Sequence, residues 1–231
     1  MNFSIIIFCH NEAGNIQQVI ESAFAFLYQH STEFEVIIVD DGSTDETPGV
    51  IAPFLQTSKQ LKYLKHQKNS GIGMALCTGY AAAEKEYVCA IPGDGQFNIK
   101  ELLDVKPFDH LSFYSFYRPR TYYSLYRSFL TFANREFNAL FLGIRLKDVN
   151  WIKVYRKEQL DFADSQLKSS IVESEICAKL IKAGARPIEL PSVYQKRTSG
   201  VSKGGNWKTL RLVIRDVYDL FTVVHRFKKH F

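Results

Sequence analysis

The sequence predicts an α/β fold, a mostly parallel sheet flanked by helices and followed by an amphipathic C-terminal helix. Two observations carry this prediction. Short apolar runs alternate with segments of helical spacing from the first residues onward, which implies right-handed βαβ units. Two of those runs, Val36-Ile37-Ile38-Val39 and Tyr87-Val88-Cys89-Ala90-Ile91, stop at acids and glycines: Asp40-Asp41-Gly42-Ser43 and Pro92-Gly93-Asp94-Gly95-Gln96. In open α/β sheets, ligands sit just beyond the carboxyl ends of the strands. Carboxylates held there beside tight turns suit a nucleotide base, a ribose or a metal-bound diphosphate.

Taken in order, Phe3–Cys9 reads as the first strand and residues 15–28 as a helix, with Ile16, Val19, Ile20, Ala23, Phe24 and Leu27 at helical spacing. Residues 34–39 form a second strand. Ser43-Thr44-Asp45-Glu46 has the pattern of a capping box opening a helix to about residue 56. Residues 61–65 are a short third strand, Gly71-Ile72-Gly73 leads into a helix to about residue 84, and residues 87–91 are the fourth strand. Beyond Asn98 the expected elements are a short helix (99–105), an aromatic strand (111–117) and a long helix (122–142) carrying Arg127 and Arg135. A strand at 151–155, a helix at 170–183 closed by Gly184 and a strand at 186–190 follow. A basic loop then precedes a helix from about 206 to 227. The expected organisation is one domain over residues 1–205 with a basic amphipathic helix over 206–231.

Composition sets bounds. Hydrophobic residues are 46% and charged residues 23% of 231, and a chain of this size buries roughly 70% of its unfolded surface, so no disulfide staples are required. Cys9, Cys77, Cys89 and Cys177 are scattered through apolar patterns without a C-x-x-C pair, which suits reduced thiols and a cytosolic compartment. The apolar start lacks a basic n-region and runs into Asn11-Glu12, so a first strand is expected there rather than a signal peptide. No apolar stretch approaches the ~18–20 residues of a membrane span. The net charge of +5 is concentrated in residues 196–231, which hold nine Lys/Arg against two Asp. A nucleic-acid binder would be basic more uniformly, so nucleic acid is not an expected partner.

Four pieces occur in sequence: Cys9-His10-Asn11-Glu12, Asp40-Asp41-Gly42-Ser43, Asp94-Gly95-Gln96, and the late loop Arg197…Gly200…Ser202-Lys203. In this set the chain resembles the family-2 glycosyltransferases of GT-A fold, and among them the dolichyl- or polyprenyl-phosphate sugar synthases, over roughly residues 3–205. The resemblance implies an inverting transfer from a nucleotide-diphosphate sugar, UDP- or GDP-linked, to a lipid-phosphate acceptor. By the same resemblance, Asp41 accepts from the base, and Phe8, Cys9, His10 and Glu12 wrap base and ribose. Gly71 belongs to a secondary nucleotide turn. Asp94 and Gln96 fall on the family's Asp-x-Asp-x-Gln motif for Mg²⁺ or Mn²⁺, with Pro92 replacing the first acid. Arg118 and Arg120 fall where the subgroup carries cations for the acceptor phosphate. Arg197 and Lys203 fall on the loop that clamps the diphosphate.

Asp148-Val149-Asn150-Trp151-Ile152-Lys153-Val154-Tyr155-Arg156 resembles the block after the acceptor region, with its glycine missing. Asp148 or Glu175 would be the base if the acceptor were a sugar hydroxyl, as in capsule or O-antigen type transferases. A non-catalytic nucleotide-sugar-binding protein is the third reading, prompted by Pro92. Glu173 and Glu175 also suit a helix start, where the dipole favours acids. In the last helix Trp207, Leu210, Ile214, Val217, Phe221 and Val224 form one apolar stripe. Such a stripe packs on the core or on another subunit of a homo-oligomer. With its cationic flank it also fits peripheral contact with an anionic membrane, which would place the protein at the cytoplasmic face.

Overall fold

A computed structural model describes residues 1–119, 135–136, 138–169, 171–193, 195 and 207–231, with side chains omitted for 207–215. Seven strands form one sheet among these residues: β1 (Phe3–Cys9), β2 (Phe34–Asp40), β3 (Leu61–Lys65), β4 (Tyr87–Pro92), β5 (Ser112–Tyr117), β6 (Lys153–Arg156) and β7 (Arg186–Pro191). Their order is β3-β2-β1-β4-β6-β5-β7. β6 runs antiparallel to both β4 and β5, and every other pairing is parallel. The helices are α1 (Ile16–His30), α2 (Thr47–Thr57), α3 (Ile72–Ala82), α4 (Lys157–Ala163), α5 (Val172–Lys182) and α6 (Trp207–Arg226), with a 3₁₀ turn at Ile99–Asp104.

The strand period divides the core in two. Successive side chains of a strand point to opposite faces. Accordingly Ile5 and Ile7 of β1, Val36 and Ile38 of β2, and Cys89 and Ile91 of β4 pack with α1 on one side of the sheet. Ile6, Ile37, Val39, Val88 and Ala90 pack on the other, with Leu76 of α3 and Ile176 of α5. Each central strand is apolar on both faces, which is why these runs show no alternation in sequence.

Several elements differ from expectation. The capping box at residues 43–46 does not form: α2 starts at Thr47 and its N-cap residue, Glu46, makes no side-chain cap. Ser43, Asp45 and Thr47 instead bind the loop that leaves β1. Ser43 Oγ accepts from Asn11 N–H (2.9 Å), Thr47 Oγ1 from Glu12 N–H (2.8 Å) and Asp45 Oδ2 from Ala13 N–H (3.3 Å). A loop with three open donors recruits the polar side chains that a helix end would otherwise use. The strand expected at 151–155 begins two residues later, because Trp151 and Ile152 close the preceding turn. α4 was not anticipated; Gln159 holds it by accepting from Arg156 N–H (3.0 Å) and donating to the carbonyls of His110 and Ser112. Most of the long helix expected at 122–142 lies outside the described residues, within which 135–136 and 138–142 are helical.

α6 is tied to the second core. Leu220, Val224 and Phe227 are buried, and Lys182 Nζ donates to the Val224 and His225 carbonyls. The stripe is therefore rotated from the expected one: Leu220 faces inward where Phe221 was expected, and Phe221 is 45% exposed. The side chains of Trp207, Leu210 and Ile214 lie outside the described residues.

Candidate active site

β1 has β2 on one side and β4 on the other. The chain passes from β1 to β2 over one face through α1 and returns from β3 to β4 over the other through α3. The strand order therefore reverses beside β1, where a crevice forms at the carboxyl ends. Backbone bonds fasten the three strand exits together. Asp41 N–H donates to the Cys9 carbonyl (2.8 Å), and Gly93 N–H donates to the Phe8 carbonyl (2.9 Å). The two acidic turns thus flank one crevice, as the sequence pattern implies.

The adjacent acids of the first turn have different surroundings. Asp40 is fully buried, accepting from Ser43 N–H (2.7 Å) and from the Tyr63 hydroxyl (2.7 Å). Burial, and then Asp40 itself, push the Tyr63 phenol well above its ordinary range, so it stays a donor. Asp41, 4% exposed, points the other way and gathers the loop after β3. Its Oδ1 lies 2.7 Å from His66 Nδ1 and accepts from Ser70 N–H (2.8 Å), while Oδ2 accepts from Gly71 N–H (2.7 Å). Gly42, which follows Asp41, has φ +72° and packs directly under the backbone of Lys68 and Asn69. Gly71, with φ +91°, is the residue preceding α3.

The residues expected around base and ribose line the exit of β1. Phe8 packs toward the α3 side of the sheet. Cys9 is buried on the α1 side, and burial followed by the nearby Asp40 and Glu12 pushes its thiol far up. Cys9 therefore serves the crevice through its carbonyl, not through sulfur. His10 follows with its Nδ1 buried and lacking a hydrogen-bond partner. Glu12 Oε2 accepts from Asn15 Nδ2 (2.7 Å), closing the start of α1.

Beyond β4, Asp94 is 7% exposed and its Oδ1 accepts from Gln96 N–H (3.0 Å). Pro92, the last residue of β4, supplies no ligand. Among the described residues no group of three or more His, Cys, Asp or Glu gathers as a metal cage. A carboxylate and an amide oxygen at one turn are hard donors that suit Mg²⁺ or Mn²⁺. Two such donors would suit a cation shared with a diphosphate better than a resident ion.

Across the crevice Arg118, just after β5, binds Asp148 with Nε to Oδ2 at 2.8 Å and Nη2 to Oδ1 at 3.3 Å. Its guanidinium also stands 4.4 Å above the Trp151 ring. Trp151 is fixed by its Nε1–H to Ser192 Oγ (2.9 Å). Lys153, 2% exposed, donates to the carbonyls of Asp148, Val149 and Trp151, so the turn carrying Asp148 is braced from below. Arg120, Arg127, Arg197 and Lys203 lie outside the described residues. Arg135 pairs with its neighbour Glu136 (2.9 Å).

Glu173 and Glu175 do not join the crevice. Glu173 accepts from the buried Tyr80 and Tyr155 hydroxyls. Glu175, fully buried, accepts from Ser165 Oγ, Gln166 N–H and Leu167 N–H and pairs with Lys179 at 2.6 Å. Both are structural anchors, and the expectation of Glu175 as a base is withdrawn for lack of access. Sequence reasoning missed His66 and Tyr63. His66 follows β3 at a strand end, but only the pairing of β3 with β2 places it beside Asp41.

The fold and crevice define an α/β protein of the nucleotide-handling kind, with its ligand groups at a reversal of strand order. The chain belongs to glycosyl transferase family 2, whose family model matches residues 4–132. It is 28% identical over 114 residues to a dolichyl-phosphate β-glucosyltransferase of Dictyostelium discoideum, covering 46% of this chain and 35% of that protein. It is 32% identical over 91 residues to a poly-β-1,6-N-acetyl-D-glucosamine synthase of Staphylococcus epidermidis, covering 39% of this chain and 21% of that one. The matches thus span about a third or less of these relatives' lengths. Among solved structures, glucosyl-3-phosphoglycerate synthase from Mycobacterium tuberculosis, bound to Mn²⁺, UDP and glucosyl-3-phosphoglycerate, superposes with a TM-score of 0.65 at 17% identity. That alignment covers 99% of this chain and 81% of the other. A mannosyltransferase from Pyrobaculum calidifontis with GDP-mannose and Mn²⁺ gives 0.60 at 18% identity, covering 99% and 65%. These likenesses establish a shared fold.

Proposed function

We propose that the chain transfers a sugar, with inversion, from a nucleotide-diphosphate sugar to a polyprenyl (dolichyl-like) phosphate. The observation that carries the reading is that the Asp41 and Asp94 turns are fastened to either side of the β1 exit, at the reversal of strand order, with Arg118 after β5 at the same edge of the sheet. The likeness to a dolichyl-phosphate glucosyltransferase supports the acceptor class.

In the reaction an acceptor phosphate oxygen attacks the anomeric carbon, a new C–O bond forms, and the bond to the donor's diphosphate breaks with its electron pair leaving on phosphate. A phosphate oxygen is anionic near neutral pH, so the chain need not remove a proton from it, and positioning dominates. Asp41 accepts from the base. Asp94 and Gln96 would hold a divalent cation, which when bound neutralises charge on the departing diphosphate. Arg118 and Arg120 orient the acceptor phosphate, and Arg197 and Lys203 screen the leaving group.

The likeness to a glucosamine-polymer synthase favours a second reading, a sugar-hydroxyl acceptor with Asp148 as base. Arg118, which binds both oxygens of that carboxylate, would have to release it before it could take a proton. No described helix is long and apolar enough to cross a membrane. Peripheral docking to anionic lipid is assigned to the C-terminal helix, whose Tyr218 and Phe221 are exposed beside Arg226, Lys228 and Lys229.

The test is a transfer screen of UDP- and GDP-sugars with Mg²⁺ or Mn²⁺, with and without polyprenyl phosphate. Product that depends on the lipid supports the synthase reading. Turnover indifferent to the lipid supports the hydroxyl reading, and donor binding without any turnover supports a non-catalytic protein.

A further inference from the structure

Asp41 carries a heavy hydrogen-bond load for a group that is to meet a ligand. An ionised carboxylate offers about four lone-pair positions. Three are directed at donors of the protein itself: His66 at 2.7 Å, Ser70 N–H at 2.8 Å and Gly71 N–H at 2.7 Å. One acceptor direction, on Oδ2, is left over. A carboxylate so fixed presents a single oriented lone pair to whatever enters the crevice.

His66 is the one side chain among those three donors, and it is oriented in turn. Its Nε2 lies 2.9 Å from Thr78 Oγ1 on α3, and its backbone N–H donates to the Asp40 carbonyl (2.9 Å). A neutral ring with its proton on Nδ1 satisfies both contacts, donating to Asp41 and accepting from the Thr78 hydroxyl. The ring is therefore a strut between β2 and α3, with the carboxylate at one end. Nothing in it reaches the crevice directly.

We infer that His66 is a positioning residue for the donor's base: through Asp41 it sets affinity for an imide or amide N–H of a nucleobase. This rests on the reading of Asp41 as the base acceptor. Loss of the strut leaves Asp41 its two backbone donors but frees the carboxylate to rotate, so the oriented lone pair is lost while the fold is kept. The consequence falls on nucleotide binding and not on the chemical step, since His66 stands on the base side, away from Asp94.

The experiment titrates UDP and GDP calorimetrically into the wild type, His66→Ala, His66→Asn and Thr78→Val, with thermal midpoints taken alongside. His66→Ala is expected to weaken the preferred nucleotide diphosphate by about 10–100-fold, the loss of one oriented charge-assisted bond. An asparagine amide can place an N–H near the position of Nδ1, so His66→Asn should recover most of that affinity. Thr78→Val should weaken binding by about 3–10-fold, since the ring keeps Asp41 but loses its own brace. A purely structural His66 would lower the thermal midpoint in all three variants without this ranking. Equal affinity in wild type and a folded His66→Ala overturns the inference while leaving the donor reading intact. So does a His66→Asn variant as weak as His66→Ala. A wild type that binds neither nucleotide overturns the donor reading and the inference with it.

Discussion

Adding one methyl group at Gly42 tests how the donor side of the crevice is built. A Cβ there would stand 2.5 Å from Lys68 C and 2.7 Å from Asn69 N. Both are backbone atoms, so no side chain can swing away. Ordinary contact begins near 3.4 Å, which requires the 68–69 backbone to retreat by about 0.9 Å. The same movement carries Ser70 and Gly71 with it. Their N–H bonds to Asp41, 2.8 and 2.7 Å long, would stretch to about 3.6 Å, past useful hydrogen-bond length. Two charge-assisted bonds contribute about 3–6 kcal/mol together. The left-handed backbone at φ +72° adds about 1–2 kcal/mol for any residue with a Cβ. Gly71→Ala is the control, since its φ is +91° and nothing lies within 4 Å of the added carbon. It should cost about 1–3 kcal/mol from backbone strain alone. Urea unfolding of both variants, with nucleotide titration of each, reads the difference. Gly42→Ala should be the more destabilised by at least about 1 kcal/mol and should lose nucleotide affinity tenfold or more. Equal destabilisation within about 0.5 kcal/mol would refute the claim that the Lys68–Asn69 approach sets the Asp41 geometry.

Asp94→Asn keeps the acceptor oxygen for Gln96 N–H but removes the charge, so turnover should fall by about 100-fold or more with the thermal midpoint unchanged. Retained turnover in the lipid-phosphate assay would remove Asp94 from the mechanism. Lys179→Met leaves Glu175 buried without its cation, and the Ala163 and Asp164 carbonyls without a donor. Glu175 keeps three other donors, so the loss should sit near the low end for a broken buried pair, about 3 kcal/mol. That corresponds to roughly 6–12 °C in a scanning-calorimetry midpoint, and a drop under about 2 °C would contradict it. At Glu35 burial alone would raise the carboxyl pKa, but bonds from Lys62, Ser4 Oγ and Glu84 N–H outweigh it and hold the pKa below its ordinary 4.5. Its stabilisation is therefore full above that ordinary value and is lost as pH falls through the lowered one. Glu35→Gln should flatten the acid limb of a stability-against-pH curve, and an unchanged limb would deny Glu35 that role.

What could be read from the sequence follows how local the cause is. β1, β2 and β4 are apolar on both faces, and β2 and β4 run into acids, so their boundaries and the position of the crevice are both written in short windows. The same holds for Asp41 and Asp94, which are placed by the strands they terminate. Ser43, Asp45 and Thr47 show the limit. Their spacing matches a helix cap, yet their partners are Asn11, Glu12 and Ala13, more than thirty residues away, and no local pattern announces three open N–H groups there. Glu173 and Glu175 fail for the same reason: a helix-start acid looks alike whether it faces water, a ligand or two tyrosine hydroxyls. α6 shows a subtler error, because a stripe read at ideal spacing chose Phe221 where packing against α5 selects Leu220. His66 is the most instructive case. It lies at a strand end beside Asp41's strand, but the pairing of β3 with β2 must be known before the two can be placed together. Residues that would touch the ligand are set by strand ends and are legible; the residues that orient them are set by sheet order and are not.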